Sequence, residues 1–308
     1  MTRLNSDLAQ LLDAKLRRYE NSYPVLSFTN VGYRNAFIEQ LVESVRRIKF
    51  IAVIQSRPVS ILRANPSSDL FDPIKAAIYH QSLGNIDEAF WLVFISVHFG
   101  KNRRAGWRYA REVYGGSNIQ PWNWEHTSSN PRAFRTWLSQ NQTHLHRDGI
   151  TKGFGNHRKY QSLSASISNG TGAAFETYIN WVLEHNDHTG LITHAISQVG
   201  DDPKVVFDYL YKSMNNVASF GRMAKFDYLT MVGKLNLARI TPGSAYLTGA
   251  TGPYMGALLL FETRETKRRL IDNRLIQMDE FLEVGMQVIE DALCNWQKSP
   301  SQFKPFRG

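Results

Sequence analysis

The sequence predicts a mainly α-helical protein, and three observations support this class. The chain of 308 residues is long enough to build one large or two modest lobes around a packed core. Apolar residues recur at helical spacing along much of its length. The Val/Ile alternation that is typical of strands is almost absent. Hydrophobic residues make up 43% of the chain and aromatic residues 12%, so we expect a well-filled interior.

The charge balance points to a polyanionic partner. The formal net charge of +9 favours binding to nucleic acid or to a phosphorylated substrate, and charge alone does not separate the two. The one cysteine, Cys294, excludes an intramolecular disulfide and a cysteine-based zinc site. Residues 1–13 show no signal-peptide pattern, and no apolar run is long enough to cross a bilayer. We therefore expect a cytoplasmic protein without a membrane partner.

The first third of the chain predicts four helices. Thr29-Asn30 would cap the second helix, and Asp72-Pro73 is typical of an N-cap followed by the first turn of the third. The fourth is apolar on nearly every side, so it would lie in the core and end at Gly100. The predicted ranges are 1–22, 31–50, 73–82 and 89–99.

The rest of the chain continues the helical pattern. Residues 115–150 are rich in Gly, Pro, Asn, Ser and Trp, and a helical period first appears at 132–138. Further on, Asp202-Pro203 predicts the start of another helix. The remaining predicted ranges are 171–185, 222–235 and 279–296.

Residues 247–257, LTGATGPYMGA, predict a tight glycine turn followed by an apolar helix. Gly249 and Gly252 permit a positive φ and a close approach of a ligand to the backbone. Pro253 suits the first turn of the next helix. N–H groups at such a turn form an anion site with the helix dipole behind them. In a basic protein the expected anion is a phosphate.

Two other basic stretches are candidates for phosphate contacts. Lys101 begins a basic segment in which Trp107 is interleaved, an arrangement that suits backbone contacts and base stacking. The run His157-Arg158-Lys159 follows a glycine-flanked turn and suits a phosphate clamp. A solvated helix face and an exposed basic turn are the structural alternatives. His98 is a candidate catalyst or, alternatively, a core histidine, and His144 and His146 have no recognised metal-ligand spacing.

The glycine turn resembles the helix-hairpin-helix of DNA base glycosylases, with one extra residue between its glycines. Asp272 stands twenty residues after Gly252, and an essential Asp lies at about this distance in that superfamily. The resemblance implies a glycosylase-like helical fold of two lobes around a cleft, and a catalytic role for Asp272. The alternative is a helical corner with a surface Asp. The implied DNA-contacting residues are Gly249, Thr251, Gly252, Tyr254 and Gly256.

The whole chain resembles the alpha-glutamyl/putrescinyl thymine pyrophosphorylase family of DNA-modification systems in phages and bacteria. The resembling motifs are RANPSSDLFDP (63–73), DEAFWLVF (87–94), HFGK (98–101), FGNHRKY (154–160), GATGP (249–253) and LCNW (293–296). The resemblance implies action on 5-hydroxymethyluracil in DNA. One branch is similar to kinases of that base, and another resembles transferases that replace its pyrophosphate with an amine. The chain has no P-loop, which favours the transferase branch.

This resemblance implies an α-helical base-modification domain over residues 30–298, preceded by a helical extension over 1–29 and followed by a polar tail over 299–308. Asp69, His98 and Asp272 are the candidate catalytic residues. The candidate pyrophosphate-binding residues are Arg63, Lys101, His157, Arg158 and Lys159, and the candidate base-stacking residues are Trp91, Trp107 and Trp122.

The implied partners are DNA that carries a modified thymine or uracil base and a small amine or amino-acid donor. No metal-binding residue and no cofactor is assigned, while a divalent metal such as Mg²⁺ is left open. A phage-encoded protein would act in the host cytoplasm. Three other functions stay open: a 5-hydroxymethyluracil DNA kinase, a base glycosylase and a non-catalytic DNA-binding module. Against a glycosylase with lyase activity, Tyr254 stands where such an enzyme would carry its lysine.

Overall fold

A computed structural model describes residues 3–116, 120–146 and 153–305. Over these residues the chain is helical and has no named strand, which confirms the mainly α prediction. None of these helices is both long and apolar enough to span a bilayer. The α-helices are α1 (Arg3–Glu20), α2 (Val31–Gln55), α3 (Pro73–Ser82), α4 (Ile86–Phe99), α5 (Arg108–Tyr114), α6 (Trp124–Ser129), α7 (Pro131–His146), α8 (Thr171–Leu183), α9 (His188–Val199), α10 (Pro203–Ser213), α11 (Arg222–Lys234), α12 (Gly252–Phe261), α13 (Arg268–Leu282) and α14 (Met286–Trp296).

Helix starts follow the predicted capping chemistry. The Asp72 carboxylate accepts hydrogen bonds from the Ile74 and Lys75 N–H groups, and Asp202 caps α10 in the same way. The predicted single helix over 279–296 is wrong. Glu283 and Gly285 both have positive φ, at 54° and 88°, and they separate α13 from α14.

The chain divides into two compact units, residues 1–52 with 242–308 and residues 53–241. The boundary after residue 52 falls inside α2. The helix-hairpin-helix resemblance, the cleft and the domain boundaries at 30 and 298 stay predictions.

The first unit buries its core around Trp296. The Phe37 ring meets the Trp296 ring edge-on with centroids 5.3 Å apart, and the indole N–H donates to the Tyr33 carbonyl. Leu12 and Leu16 of α1 and Ile271 of α13 belong to the same buried cluster. The polar-looking N-terminal helix therefore contributes its leucine face to this core.

The second unit is organised around α4, in which residues 89–99 are all buried. Phe94 stacks on Tyr178 of α8 at 4.0 Å and on Phe220 at 5.0 Å between ring centroids. Because α4 is apolar on all sides, α3, α5, α6, α9 and α11 all pack against it. The turn that follows the C-terminal end of α4 carries the exposed Lys101, and the site described below lies near this end.

Candidate active site

The loop over residues 63–72 is held closed by its own backbone. The Asp72 N–H donates to the Arg63 carbonyl, and the Arg63 guanidinium donates to the Leu70 carbonyl. Both donor–acceptor distances are 3.0 Å. The Asn65 side chain accepts from the Ser67 N–H at 2.9 Å. These bonds fix the Arg63 guanidinium and leave the Asp69 side chain 95% exposed.

Helix α5 holds this loop at three points. Phe71 stacks on Tyr114 with ring centroids 5.6 Å apart. Pro66 packs closely against Gly115, where an added Cβ would lie 3.1 Å from the proline ring. The Asp69 carboxylate forms an ion pair with Arg111. The loop and α5 therefore form one rigid wall.

The turn after α4 supplies the opposite wall. Gly100 and Gly106 have φ of 63° and 58°, and Asn102 exchanges two backbone hydrogen bonds with Gly106. Lys101 is exposed, and it makes no ion pair with any residue that the structure describes. Trp107 is half-buried, and its indole N–H is buried without a hydrogen-bond partner in the described chain.

The two walls enclose a cavity of about 550 Å³, here called the basic cavity. Four of the predicted site residues, Arg63, Asp69, Lys101 and Trp107, line it together. The residues that line it in the described part of the chain are Arg63, Asp69, Phe71, Asp72, Lys101, Ala105, Gly106, Trp107, Arg108 and Arg111. Four cations face two carboxylates, and one of those carboxylates, Asp72, is committed to capping α3. The lining therefore favours an anionic ligand with a flat apolar part beside it.

The predicted His157-Arg158-Lys159 clamp is arranged differently. Arg158 is 7% exposed, and its guanidinium donates to the Val97 carbonyl at 2.7 Å and to Asp227 at 2.8 Å. His157 and Lys159 are exposed, and Lys159 lies over the Tyr160 ring. None of the three lines the basic cavity. These contacts anchor the loop that carries Arg158, and its predicted pyrophosphate-binding role stays a prediction.

That loop nevertheless packs on the wall of the basic cavity. The Gly155 N–H donates to the Phe99 carbonyl at 2.7 Å, and an added Cβ on Gly155 would lie 2.8 Å from the Gly100 carbonyl carbon. The Asn102 amide donates to the Phe154 carbonyl. The motifs at 98–101 and 154–160 are therefore packed against each other, which fixes the turn that carries Lys101.

Three other predicted residues lie in the interior of the second unit. His98 is 1% exposed, and its Nε2 lies 2.9 Å from the Thr171 hydroxyl. Burial lowers the pKa of His98 to about 3, so the ring is neutral at pH 7. Trp91 is fully buried, and the Trp122 ring stacks on His126 at 4.3 Å. None of these three side chains lines the basic cavity, and their predicted roles stay untested.

The glycine turn of the first unit starts α12 as predicted. Gly249 has a φ of 79°, and Thr251 and Gly249 are exposed. Gly252 and Gly256 face α14, where an added Cβ would lie 2.9 Å from the Cys294 Sγ and 2.5 Å from the Leu293 carbonyl. These two glycines permit close helix packing, and only the exposed part of the turn can meet a ligand.

Asp272 and Arg268 both hold this turn. The Asp272 carboxylate accepts from the Ala245 and Leu247 N–H groups, each at 3.1 Å. Arg268 donates to the Leu247 and Ala250 carbonyls at 2.6 Å, and it lies 3.9 Å from the centroid of the Tyr254 ring. Asp272, the predicted catalytic residue, thus stabilises the turn through hydrogen bonds to its backbone. Its predicted catalytic role stays a prediction.

Two cations of the basic cavity belong to the basic segment that begins at Lys101 but are not among the predicted pyrophosphate-binding residues. Arg108 and Arg111 lie three positions apart on α5, so one helix face presents both. That spacing is readable in the sequence. What places Arg108 and Arg111 at the cavity is the packing of α5 against the 63–72 loop. This packing joins residues about 40 positions apart in the chain, so the local sequence does not reveal it.

The fold and this site define a mainly α-helical protein with a cationic cavity beside an aromatic side chain. A family model described as alpha-glutamyl/putrescinyl thymine pyrophosphorylase clade 3 matches residues 33–308. The match covers most of the chain, so the chain belongs to this family, and the predicted family is confirmed. The family description indicates an enzyme of thymine hypermodification with pyrophosphorylase activity. No curated protein and no solved structure matches the chain.

Proposed function

We propose that this protein replaces the pyrophosphate of pyrophosphorylated 5-hydroxymethyluracil in DNA with an amine. The observation that carries the proposal is the basic cavity, where Arg63, Lys101 and Arg111 lie around an opening beside Trp107. A pyrophosphate on a flat pyrimidine matches that combination of charge and aromatic surface. The family description supports the same substrate class.

The displacement needs a stabilised leaving group and a proton acceptor. The lone pair of the amine nitrogen attacks the exocyclic carbon of the base, and the C–O bond to pyrophosphate breaks. The bonding electrons leave with the pyrophosphate, and the new C–N bond carries an ammonium group that then loses a proton. Arg63 and Lys101 stabilise the charge on the leaving group. Asp69, held at the cavity by Arg111, accepts the proton.

The base must leave the DNA stack to enter such a cavity. Trp107 offers a half-buried ring there, and its unpartnered N–H offers a donor to a base carbonyl or phosphate oxygen. The exposed part of the glycine turn, Gly249 and Thr251, supports a contact with the DNA backbone at the start of α12.

Nucleoside mass spectrometry tests the proposal. Duplex DNA that carries pyrophosphorylated 5-hydroxymethyluracil is incubated with the protein and a pool of amines, and the expected product is a thymidine adduct that has gained an amine and lost pyrophosphate. Intact substrate with every amine would contradict the transferase function.

The same assay separates the alternatives. Incubation of 5-hydroxymethyluracil DNA with ATP would give a gain in mass of phosphate if the protein were a kinase. Release of the free base and abasic sites would indicate a glycosylase. Salt-dependent DNA binding without any change in the nucleosides would indicate a non-catalytic binding module.

A further inference from the structure

The loop over residues 154–160 does not line the basic cavity, yet it is anchored on both sides of its exposed tip. Before the tip, Gly155 and Arg158 donate hydrogen bonds to backbone carbonyls at the C-terminal end of α4. After the tip, the Gln161 amide donates to the Ser219 carbonyl at 3.3 Å. The anchors therefore hold the tip in a defined position next to the turn that carries the cavity wall.

Lys159 and Tyr160 form the tip of this loop. Tyr160 is 89% exposed, the largest exposed fraction of any large hydrophobic residue that the structure describes. The Lys159 Nζ lies 4.9 Å from the centroid of its ring. A single exposed ring is common on protein surfaces, and its meaning depends on the groups around it. Here an anchored loop presents an aromatic ring together with a cation, which suits a flat partner that carries negative charge.

The turn over residues 102–106 is joined to this loop. The Asn102 side chain donates to the Phe154 carbonyl at 3.1 Å and accepts from the Arg104 N–H at 2.9 Å. Arg103 and Arg104 are exposed, and neither makes an ion pair with a residue that the structure describes. The last residues of the turn line the basic cavity. Two guanidinium groups therefore extend from a fixed turn next to the cavity.

The sequence around both segments is free of acidic residues. Residues 100–111 contain five Lys and Arg residues and no Asp or Glu, and residues 153–175 contain two Lys and Arg residues and no Asp or Glu. We call the 102–106 turn and the 154–160 loop the basic loops. Cations with an exposed aromatic ring are typical of surfaces that contact a phosphate backbone and stack on bases. The family match implies a DNA substrate, so DNA is the polyanion that these loops suit.

We propose that the basic loops bind DNA beside the basic cavity. Arg103, Arg104 and Lys159 contact backbone phosphates, and Tyr160 stacks on a base next to the target. A base that leaves the stack exposes the face of its neighbour, and an aromatic ring can cover that face. The inference rests on the proposed function for the flipped target base, and it adds the surface that holds the DNA around that base.

Fluorescence anisotropy on the full chain tests the phosphate contacts. The probe is a labelled duplex that carries pyrophosphorylated 5-hydroxymethyluracil, measured without amine between about 50 and 200 mM salt. The double substitution of Arg103→Ala and Arg104→Ala should reduce the slope of log K against log salt concentration by about 2, since each phosphate contact contributes about 0.9. The matched control is Lys204→Ala with Arg239→Ala, which removes two exposed cations elsewhere in the same unit and should leave the slope unchanged.

Tyr160→Ala tests the stacking contact in the same assay. Loss of the ring should weaken binding about 5- to 100-fold at a fixed salt concentration, with an unchanged slope, because the ring carries no charge. Tyr160→Phe is the control, since it keeps the ring and should bind within about twofold of the parent protein. Because Tyr160 is exposed, both variants should fold, and circular dichroism checks this.

Three results of these assays would overturn the proposal. They are an unchanged slope in the variant of Arg103 and Arg104, an equal fall of the slope in its control, and parent-like binding by Tyr160→Ala. Lys159→Ala adds a fourth test, because it should leave the binding of inorganic pyrophosphate unchanged while Lys101→Ala weakens it. An equal loss in both would make Lys159 a residue of the cavity and contradict its place on the DNA surface.

The transfer assay is read separately from DNA binding. Adduct formation together with an unchanged slope would reject only the DNA surface. A reduced slope without any adduct would keep the surface and reject the transferase function.

Discussion

The basic cavity of the second unit and the glycine turn of the first unit use the same residue types in opposite ways. At the cavity, Lys101 is exposed and Arg63 uses its guanidinium on one carbonyl while it lines the opening. At the turn, Arg268 donates to two carbonyls and Asp272 accepts two backbone N–H groups. A charged residue marks a ligand site where its hydrogen-bonding capacity still faces an opening. Residue type alone does not mark it.

The glycines of the two regions differ in the same way. Gly100 lies beside the cavity with a positive φ, which shapes the turn that carries Lys101. Gly252 and Gly256 lie under close helix packing at α14. A glycine-rich motif therefore serves backbone conformation in one region and helix contact in the other.

The largest expected effect is on catalysis at the basic cavity. The double substitution of Arg63→Ala and Lys101→Ala removes two cations that stabilise the leaving pyrophosphate, and turnover should fall on the order of 10²–10³-fold. The measurement is the initial rate of adduct formation with circular dichroism as a folding check. Lys204→Ala, an exposed cation outside the cavity, should leave the rate within about twofold. If Lys204→Ala lost as much turnover as the double variant, cations that line the cavity would not differ from other surface cations in their effect on catalysis.

Glu88 shares features of both regions, because its carboxyl group is held by internal hydrogen bonds and also lines a cavity. Burial raises its pKa from the ordinary value of 4.5 to about 7. The folded state then holds a proton that the unfolded state has already lost. The unfolding free energy should therefore fall as pH rises between about 4.5 and 7, by a total on the order of 3 kcal/mol. Urea unfolding at pH 5 and pH 8 measures this.

Glu88→Gln is the comparison for that titration. The Gln carbonyl can accept from the Trp124 N–H while its amide donates to the Tyr114 oxygen, so the local bonds are kept. This variant should lose most of the pH dependence in that window. A variant with the same pH dependence as the parent protein would assign the effect to another group.

Gly256→Ala tests the packing role of the glycine turn. An added Cβ would lie 2.5 Å from the Leu293 carbonyl oxygen, so α12 and α14 would have to separate. We expect the unfolding free energy to fall by roughly 2 kcal/mol, because overpacking outweighs the better helix propensity of Ala. Gly221→Ala is the control, since no atom lies within 4 Å of its added Cβ. Similar stability of the two variants would show that helix contact is not what Gly256 provides.

The sequence predicts those features of the fold and the site that depend on neighbouring residues. The caps at Asp72 and Asp202 and the buried α4 follow from local pattern, and the structure shows them. Arg63, Asp69, Lys101 and Trp107 were selected from motifs in two short segments, and all four line one cavity. Arg63 and Asp69 follow from the family resemblance, and Lys101 and Trp107 also stand in a segment of interleaved basic and aromatic residues.

Long-range pairing explains what the sequence could not predict. Arg158 reads as a basic turn residue, yet its partners Val97 and Asp227 lie 61 and 69 positions away. His188 contacts Asp87 across 101 positions, so this pair has no local signature in the sequence. The break at Gly285 was also missed, because the apolar pattern continues through it at helical spacing.

The smallest expected effect on stability comes from Asp272→Asn. This variant distinguishes a purely structural role of Asp272 in the turn from a catalytic one. The carboxylate gives one oxygen to the Ala245 N–H and the other to the Leu247 N–H. Asn keeps one acceptor oxygen and turns an NH₂ group toward the second N–H, which should cost about 1–2 kcal/mol of unfolding free energy. Asp7→Asn, the same change at an exposed site in the first unit, should cost less than about 0.5 kcal/mol.

Turnover of Asp272→Asn, measured where the variant is fully folded, then decides whether Asp272 is also a catalytic residue. A residue that only holds the turn should leave turnover within about tenfold of the parent, whereas loss of a catalytic acid or base typically costs about 10²–10⁴-fold. A large loss of turnover would show that Asp272 takes part in catalysis. The glycine turn would then belong to the active site, as the basic cavity does. A small loss, together with the large effect of Arg63→Ala and Lys101→Ala, would place the chemistry in the second unit.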